Sequence, residues 1–155
     1  MIAQKFINAL EAWLVDEVAG KERLVVGLER QENALVNGTA EEIGAATRAI
    51  EAEISQELDR SRRREVIFAR LGAHWNVAPV ALTLGSIAER AGQSGARIEE
   101  LRDRLRLLVA ESLRRNRRVA RLVHVHQSVV QETLTALVGS QGAMTETGAL
   151  FDARM

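Results

Sequence analysis

His124 and His126 stand two residues apart, and Arg114, Arg115, Arg117 and Arg118 crowd around Asn116. A histidine pair suggests a metal, and a run of arginines suggests phosphate. Spacing argues against both. Helical positions two apart diverge by roughly 200°, whereas a shared metal needs i,i+3 or i,i+4. The four arginines fan out in three or four directions, and no aromatic side chain lies among them to stack on a base. Arg62, Arg63 and Arg64 are surrounded by Glu57, Asp59 and Glu65, so both runs read as solvated helix surface and nucleic-acid binding is not expected. His74 has no serine or cysteine nucleophile in a motif context, and no glycine-rich phosphate loop occurs. The carboxylates read as amphipathic helix surface without a marked pair. Cysteine is absent, which removes thiolate ligands, disulfides and thiol redox chemistry and fits a reducing compartment. The expectation is a protein that is not an enzyme, with no catalytic, metal-binding or cofactor-binding residues, acting through contact surfaces.

The apolar residues suited to contact gather near the C-terminus. Val123, Val125, Val129 and Val130 place apolar groups on more than one face of a helix. Such a helix either sits between two others or offers a spare face to a partner. Beyond it, the segments Gly139-Ser-Gln-Gly142 and Thr145-Glu-Thr-Gly148 cannot bury enough apolar surface to offset the entropy of ordering them. Leu150 and Phe151 follow them, an apolar pair that reads as a docking point or as a clip onto the chain's own body. Trp13 reads as core. Trp75 reads as an anchor if buried and as a binding hot spot if exposed.

Long helices must carry these residues. The chain has 155 residues, 46% hydrophobic and 3% aromatic, with one proline and no tyrosine, a composition typical of long helices. Lys plus Arg and Asp plus Glu each number 21, so no global field steers the chain toward nucleic acid or membrane. Phe6, Leu10, Leu14, Val18, Val25, Leu28 and Leu35 predict a helix over 2–36, in which Gly20 and Gly27 each cost about 1 kcal/mol relative to alanine. Asn37-Gly38 stops it, and Thr39 with Glu42 has capping-box spacing. A second helix over 40–71 buries Ile43, Ile50, Ile54, Leu58 and Phe68. Gly72 to Pro79 breaks the pattern around His74, Trp75 and Val77. A short helix over 80–91 follows, then a Ser94-capped helix over 95–138 through Ile98, Leu101, Leu105 and Leu108. Its seam is interrupted near Ser112 and Arg115, which predicts imperfect packing there. Residues 1–36 hold 4 basic against 6 acidic groups and residues 94–138 hold 9 against 5, predicting mild attraction between first and last helices.

The expected fold class is all-α. A long antiparallel helical hairpin and a long C-terminal helix pack antiparallel as a coiled-coil-like three-helix bundle, with a short connecting helix. Residues 1–138 form the bundle domain and 139–155 a flexible or partner-docking tail. No stretch approaches the roughly 18 apolar residues of a membrane span, and the N-terminus does not read as a secretory signal. A cytoplasmic location without membrane insertion is expected.

The segment Leu113-Arg-Arg-Asn-Arg-Arg-Val-Ala-Arg-Leu-Val123 is similar to the asparagine-arginine segment of the FlgN family of flagellar type III export chaperones. The ending Thr147-Gly-Ala-Leu-Phe-Asp-Ala-Arg154 resembles that family's terminal Tyr-Asp-x-x-Gly pattern, with Phe151 at the tyrosine and Met155 at the glycine. The helix arrangement matches over most of the length. The resemblance implies binding of hook-associated, hook-filament junction proteins before export and their delivery to the export apparatus. It places client contact on Val119, Leu122, Val123, Val129, Val130, Leu134 and Leu137, with Leu150 and Phe151 as tail docking residues. Two other readings stand beside it: a structural coiled coil closing a homo-oligomer, and a helical adaptor without chaperone activity.

Overall fold

A computed structural model describes residues 2–142, with side chains through 139. Helix α1 spans Ile2–Asn37 and α2 spans Ala40–Trp75. Between them the Thr39 hydroxyl accepts the Glu42 amide at 3.2 Å, satisfying one orphan donor at the start of α2. Only this half of the expected capping box is made among the described residues.

Gly72 does not stop α2. The helix continues for three more residues because Asn76 supplies the left-handed cap, φ 54°, a conformation that asparagine tolerates better than most residues. The Asn76 amide and the Val77 amide, the latter at 2.9 Å, both donate to the Gly72 carbonyl. A side chain at Gly72 would lie 2.6 Å from the Val77 carbonyl, so glycine is needed where the chain folds back over the helix end. His74 and Trp75 therefore sit in the last turn of α2 instead of in a break. The expected helix from residue 80 is a 3-10 turn, Pro79–Ala81, then extended backbone. Thr83 and Ser86 cap α3, Leu84–Arg90, reciprocally at 3.0 Å each. A second 3-10 turn, Gly92–Ser94, runs into α4, Gly95–Gly142. Ser94 does not cap α4 with its side chain; its hydroxyl accepts from Gln4 at 3.3 Å. Helix α4 passes the expected end at 138 and reaches roughly 70 Å at 1.5 Å per residue.

Helix α1 is the centre of the assembly. It packs on both α2 and α4, which flank it and touch each other only slightly. The ladder Gln4 to Ser94, Glu22 to Arg104, Glu32 to Arg115 and Leu35 to His126 shows that α4 runs parallel to α1. This corrects the all-antiparallel expectation: α2 reverses the chain once, and the α3 connection reverses it again. The ion pairs in that ladder supply the expected attraction between first and last helices.

Apolar burial divides into two clusters. The larger joins Ile7, Leu10, Trp13 and Leu14 to Leu71, to Ile87 beneath the connector, and to Ile98 and Leu101. The smaller joins Leu28, Leu35 and Val119, with Ile43, Ile50, Leu122 and Val123 packed against it. Helix α2 turns Ala46, Glu53, Arg60 and Ile67, spaced by sevens, toward Trp13, Gly20, Gly27 and Ala34 of α1. Ile54 and Leu58, expected inside, are consequently 48% and 60% exposed. Trp75 is half-buried against the larger cluster, and the Arg90 guanidinium lies over its ring at 5.5 Å.

Candidate functional site

The waist between the two clusters is ionic. Arg60 is buried, its Nε 2.7 Å from Glu17 and its Nη2 2.9 Å from Glu53; Arg23 meets Glu53 from the other side at 2.9 Å. Lys21 pairs with Glu57 alongside. Gly20 makes this possible, since a Cβ there would lie 2.3 Å from the Arg60 guanidinium. Trp13 Nε1 donates to the Arg60 carbonyl at 2.7 Å, fixing that turn from below. Burial alone pushes the Glu53 carboxyl up, but hydrogen bonds and charge from Arg23 and Arg60 outweigh it and hold the group below the usual carboxylate range. Burial likewise opposes the charge on Arg60, and its two carboxylates hold its pKa above the usual arginine value. Arg60 answers both buried carboxylates, so the waist is a structural lock. The expectation of carboxylates without a marked pair is corrected by Glu17 and Glu53. The signal for them was the seven-residue spacing of Ala46, Glu53, Arg60 and Ile67 opposite Gly20 and Gly27.

The upper half of α4 carries the residues expected to meet a partner, and the structure separates them. Val119 is 6% exposed and belongs to the second core cluster, with Leu122 and Val123 packed on it. These three hold α4 to the hairpin. Val129, Val130, Leu134 and Leu137 are 54%, 56%, 53% and 56% exposed. The reason is length. Helix α1 ends at Asn37, level with His126, so residues beyond about 127 project past the hairpin by roughly 20 Å. The core-facing stripe Ile98, Leu101, Leu105, Leu108, Val119 and Val123 continues at helical spacing into Val130, Leu134 and Leu137. That apolar face keeps its direction after the hairpin beneath it has ended. Val130 and Leu134 line a shallow concavity with His126, Gln127, Gln131 and Thr135. Leu150 and Phe151 lie outside the described residues.

His126 marks the junction. Its Nε2 sits 2.5 Å from the Leu35 carbonyl, one of the last carbonyls of α1 that have no partner within their own helix. The ring nitrogen therefore donates, and α4 caps α1. His124 is exposed on a different face. At the seam interruption Ser112 is buried with its hydroxyl on the Val109 carbonyl at 2.9 Å, and Arg115 meets Glu111 at 3.2 Å but faces Glu32 only at 3.7 Å, leaving the buried Glu32 Oε2 without a hydrogen bond, in keeping with the imperfect packing expected there. Arg118 also reaches Glu32 at 3.7 Å.

Among the described residues no helix is long and apolar enough to cross a membrane. No curated protein and no solved structure matches the chain. A family model described as FlgN protein matches residues 1–147.

Proposed function

The chain belongs to the FlgN family of flagellar export chaperones, and from that premise we propose that its clients are hook-associated proteins of the hook-filament junction. It holds them in the cytoplasm before export, keeps their interaction-prone terminal helices from assembling early, and delivers them to the export apparatus. The observation that carries this reading is the apolar stripe of α4 continuing past the end of the hairpin through Val130 and Leu134. A client helix laid on that overhang would take the place the hairpin vacates, anchored at i, i+4 and i+7 positions. Val129 and Leu137 extend the same surface, and Leu150 and Phe151 are a second docking element on the tail.

The test is co-purification with C-terminal fragments of hook-associated proteins. Val130→Asp with Leu134→Asp is expected to abolish capture while leaving the melting temperature of the free protein unchanged. Removing 143–155 separates the tail's part from the overhang's. Unchanged capture by the double variant would sink the assignment. A second reading follows from the same exposed face, a homo-oligomer closed through two overhangs. Solution mass distinguishes it: the client reading requires the mass to change when client is added, and a closed oligomer does not.

A further inference from the structure

Arg106, Arg114, Arg117 and Arg121 are all exposed, and among the described residues none of them meets a carboxylate; Arg121 reaches only the Arg117 carbonyl, at 3.4 Å. At 3.6 residues per turn they fall within an arc of roughly 80° and along roughly 22 Å of α4. This arc lies opposite the stripe that packs on α1. Arginines elsewhere are commonly answered: Arg62 by Asp59, Arg63 by Asp16, Arg97 by Glu100 and Arg104 by Glu22. Arg115 and Arg118, which lie between members of the stripe in sequence, turn to Glu32. The run Arg114, Arg115, Arg117 and Arg118 thus divides between faces, as its spacing predicts. Two of the original four are drawn off, and the other two align with Arg106 and Arg121.

Residues 104–121 hold seven arginines against one acidic residue, Glu111. Arg114, Arg117 and Arg121 are spaced i,i+3 and i,i+4, where like charges weaken a helix. A helix that keeps such a repulsive row with no contact to offset it breaks a local rule, as surfaces shaped for a partner do. Leu107, 67% exposed, and Leu113, 52% exposed, border the row on either side.

We propose that this face of α4 binds an acidic amphipathic helix of a partner protein, with carboxylates on the four guanidiniums and aliphatic side chains on Leu107 and Leu113. A protein helix fits better than a polyanion. The row has no aromatic residue for stacking, its apolar borders would gain nothing from phosphates, and the chain's zero formal net charge concentrates no polyanion around it. The inference rests on charge placement and stands apart from the client surface on the overhang.

The full chain is titrated, by fluorescence anisotropy, with a labelled helical peptide of about 21 residues carrying a row of glutamates flanked by leucines. A second peptide has glutamine at the glutamate positions. The glutamate peptide is expected to bind about tenfold or more tightly than the glutamine peptide, and to weaken steeply as salt screens the contact. Arg114→Glu with Arg117→Glu is expected to abolish binding, and Val130→Asp to leave it unchanged. Circular dichroism verifies that both variants fold. Equal binding of the two peptides, no binding at low salt, or binding unaltered by the arginine reversal overturns the proposal. So does tighter binding of a single-stranded oligonucleotide or of phosphatidylglycerol vesicles in parallel titrations, which would reassign the row to phosphate.

Discussion

Gly20 and Arg60 show how one residue governs the waist. By helix propensity alone Gly20→Ala gains about 1 kcal/mol. The new methyl group, however, takes the space of the Arg60 guanidinium, so accommodating it means moving that group off Glu17 and Glu53. Breaking a buried pair so that its partners stay uncompensated costs about 3–5 kcal/mol. The steric term wins, and urea denaturation of Gly20→Ala is expected to show a net loss of about 2–4 kcal/mol, the difference of those two terms. The same lock sets the acid response. Glu53 titrates lower when folded than when unfolded, so its contribution is fully present above the ordinary carboxylate pKa of about 4.3 and is lost as pH falls through the folded value. Glu53→Gln should be less stable than the parent at pH 7, and the gap should narrow below about pH 4, as followed by melting temperature against pH. The cost of Gly20 was legible in the sequence; its purpose was not. Glu17, Glu53 and Arg60 are residues that pattern analysis assigns to solvent, and only the opposed seven-residue spacings show that the hairpin turns them inward.

At the scale of elements, periodicity located the long helices, because apolar stripes over 36 and 48 residues have no competing interpretation. The ends were less legible. Asn76 could take over the cap from Gly72, and nothing local in the sequence distinguishes a glycine that ends a helix from one over which the chain folds back. Face was the other difficulty: Ile54 and Leu58 look like core until Gly20 makes room for Arg60, which draws Glu53 inward with it. The overhang of α4 was hidden for a similar reason. A stripe of valines and leucines reads the same whether or not a neighbour lies beneath it, so the sequence grouped Val119 with Val130 although only the first is covered. This division predicts opposite outcomes for equivalent changes. Val119→Asp, placing a charge in the second cluster, should destabilise the protein by about 3 kcal/mol or more. Val130→Asp should cost within about 0.5 kcal/mol, as surface changes do. His126→Ala removes a cap from the end of α1 and should cost about 1 kcal/mol. Thermal melts of the three single variants order them directly.

Among the described residues, two apolar clusters of unequal size are joined through the ionic waist. The lower cluster draws on all four helices and the connector, while the upper depends on α1, α2 and the middle of α4. Local stability follows the number of buried apolar contacts, so the upper half should open more readily than the lower. Native-state hydrogen exchange is expected to show slower exchange for amides around Leu10, Leu71 and Leu101 than for those around Leu35, Ile43 and Val123. A client seated on the overhang adds apolar burial next to the weaker cluster. It binds only where the end of α4 is helical and held by His126, and so stabilises that state by mass action. Protection should therefore rise on client addition chiefly around Leu35, Ile43 and Val123, with little change near Leu10 and Leu101. An acidic helix on the outer arginine row, lying across both clusters, should instead protect α4 from about residue 106 to 121. If client raised protection evenly throughout, or only at the lower cluster, the overhang would not be where it docks.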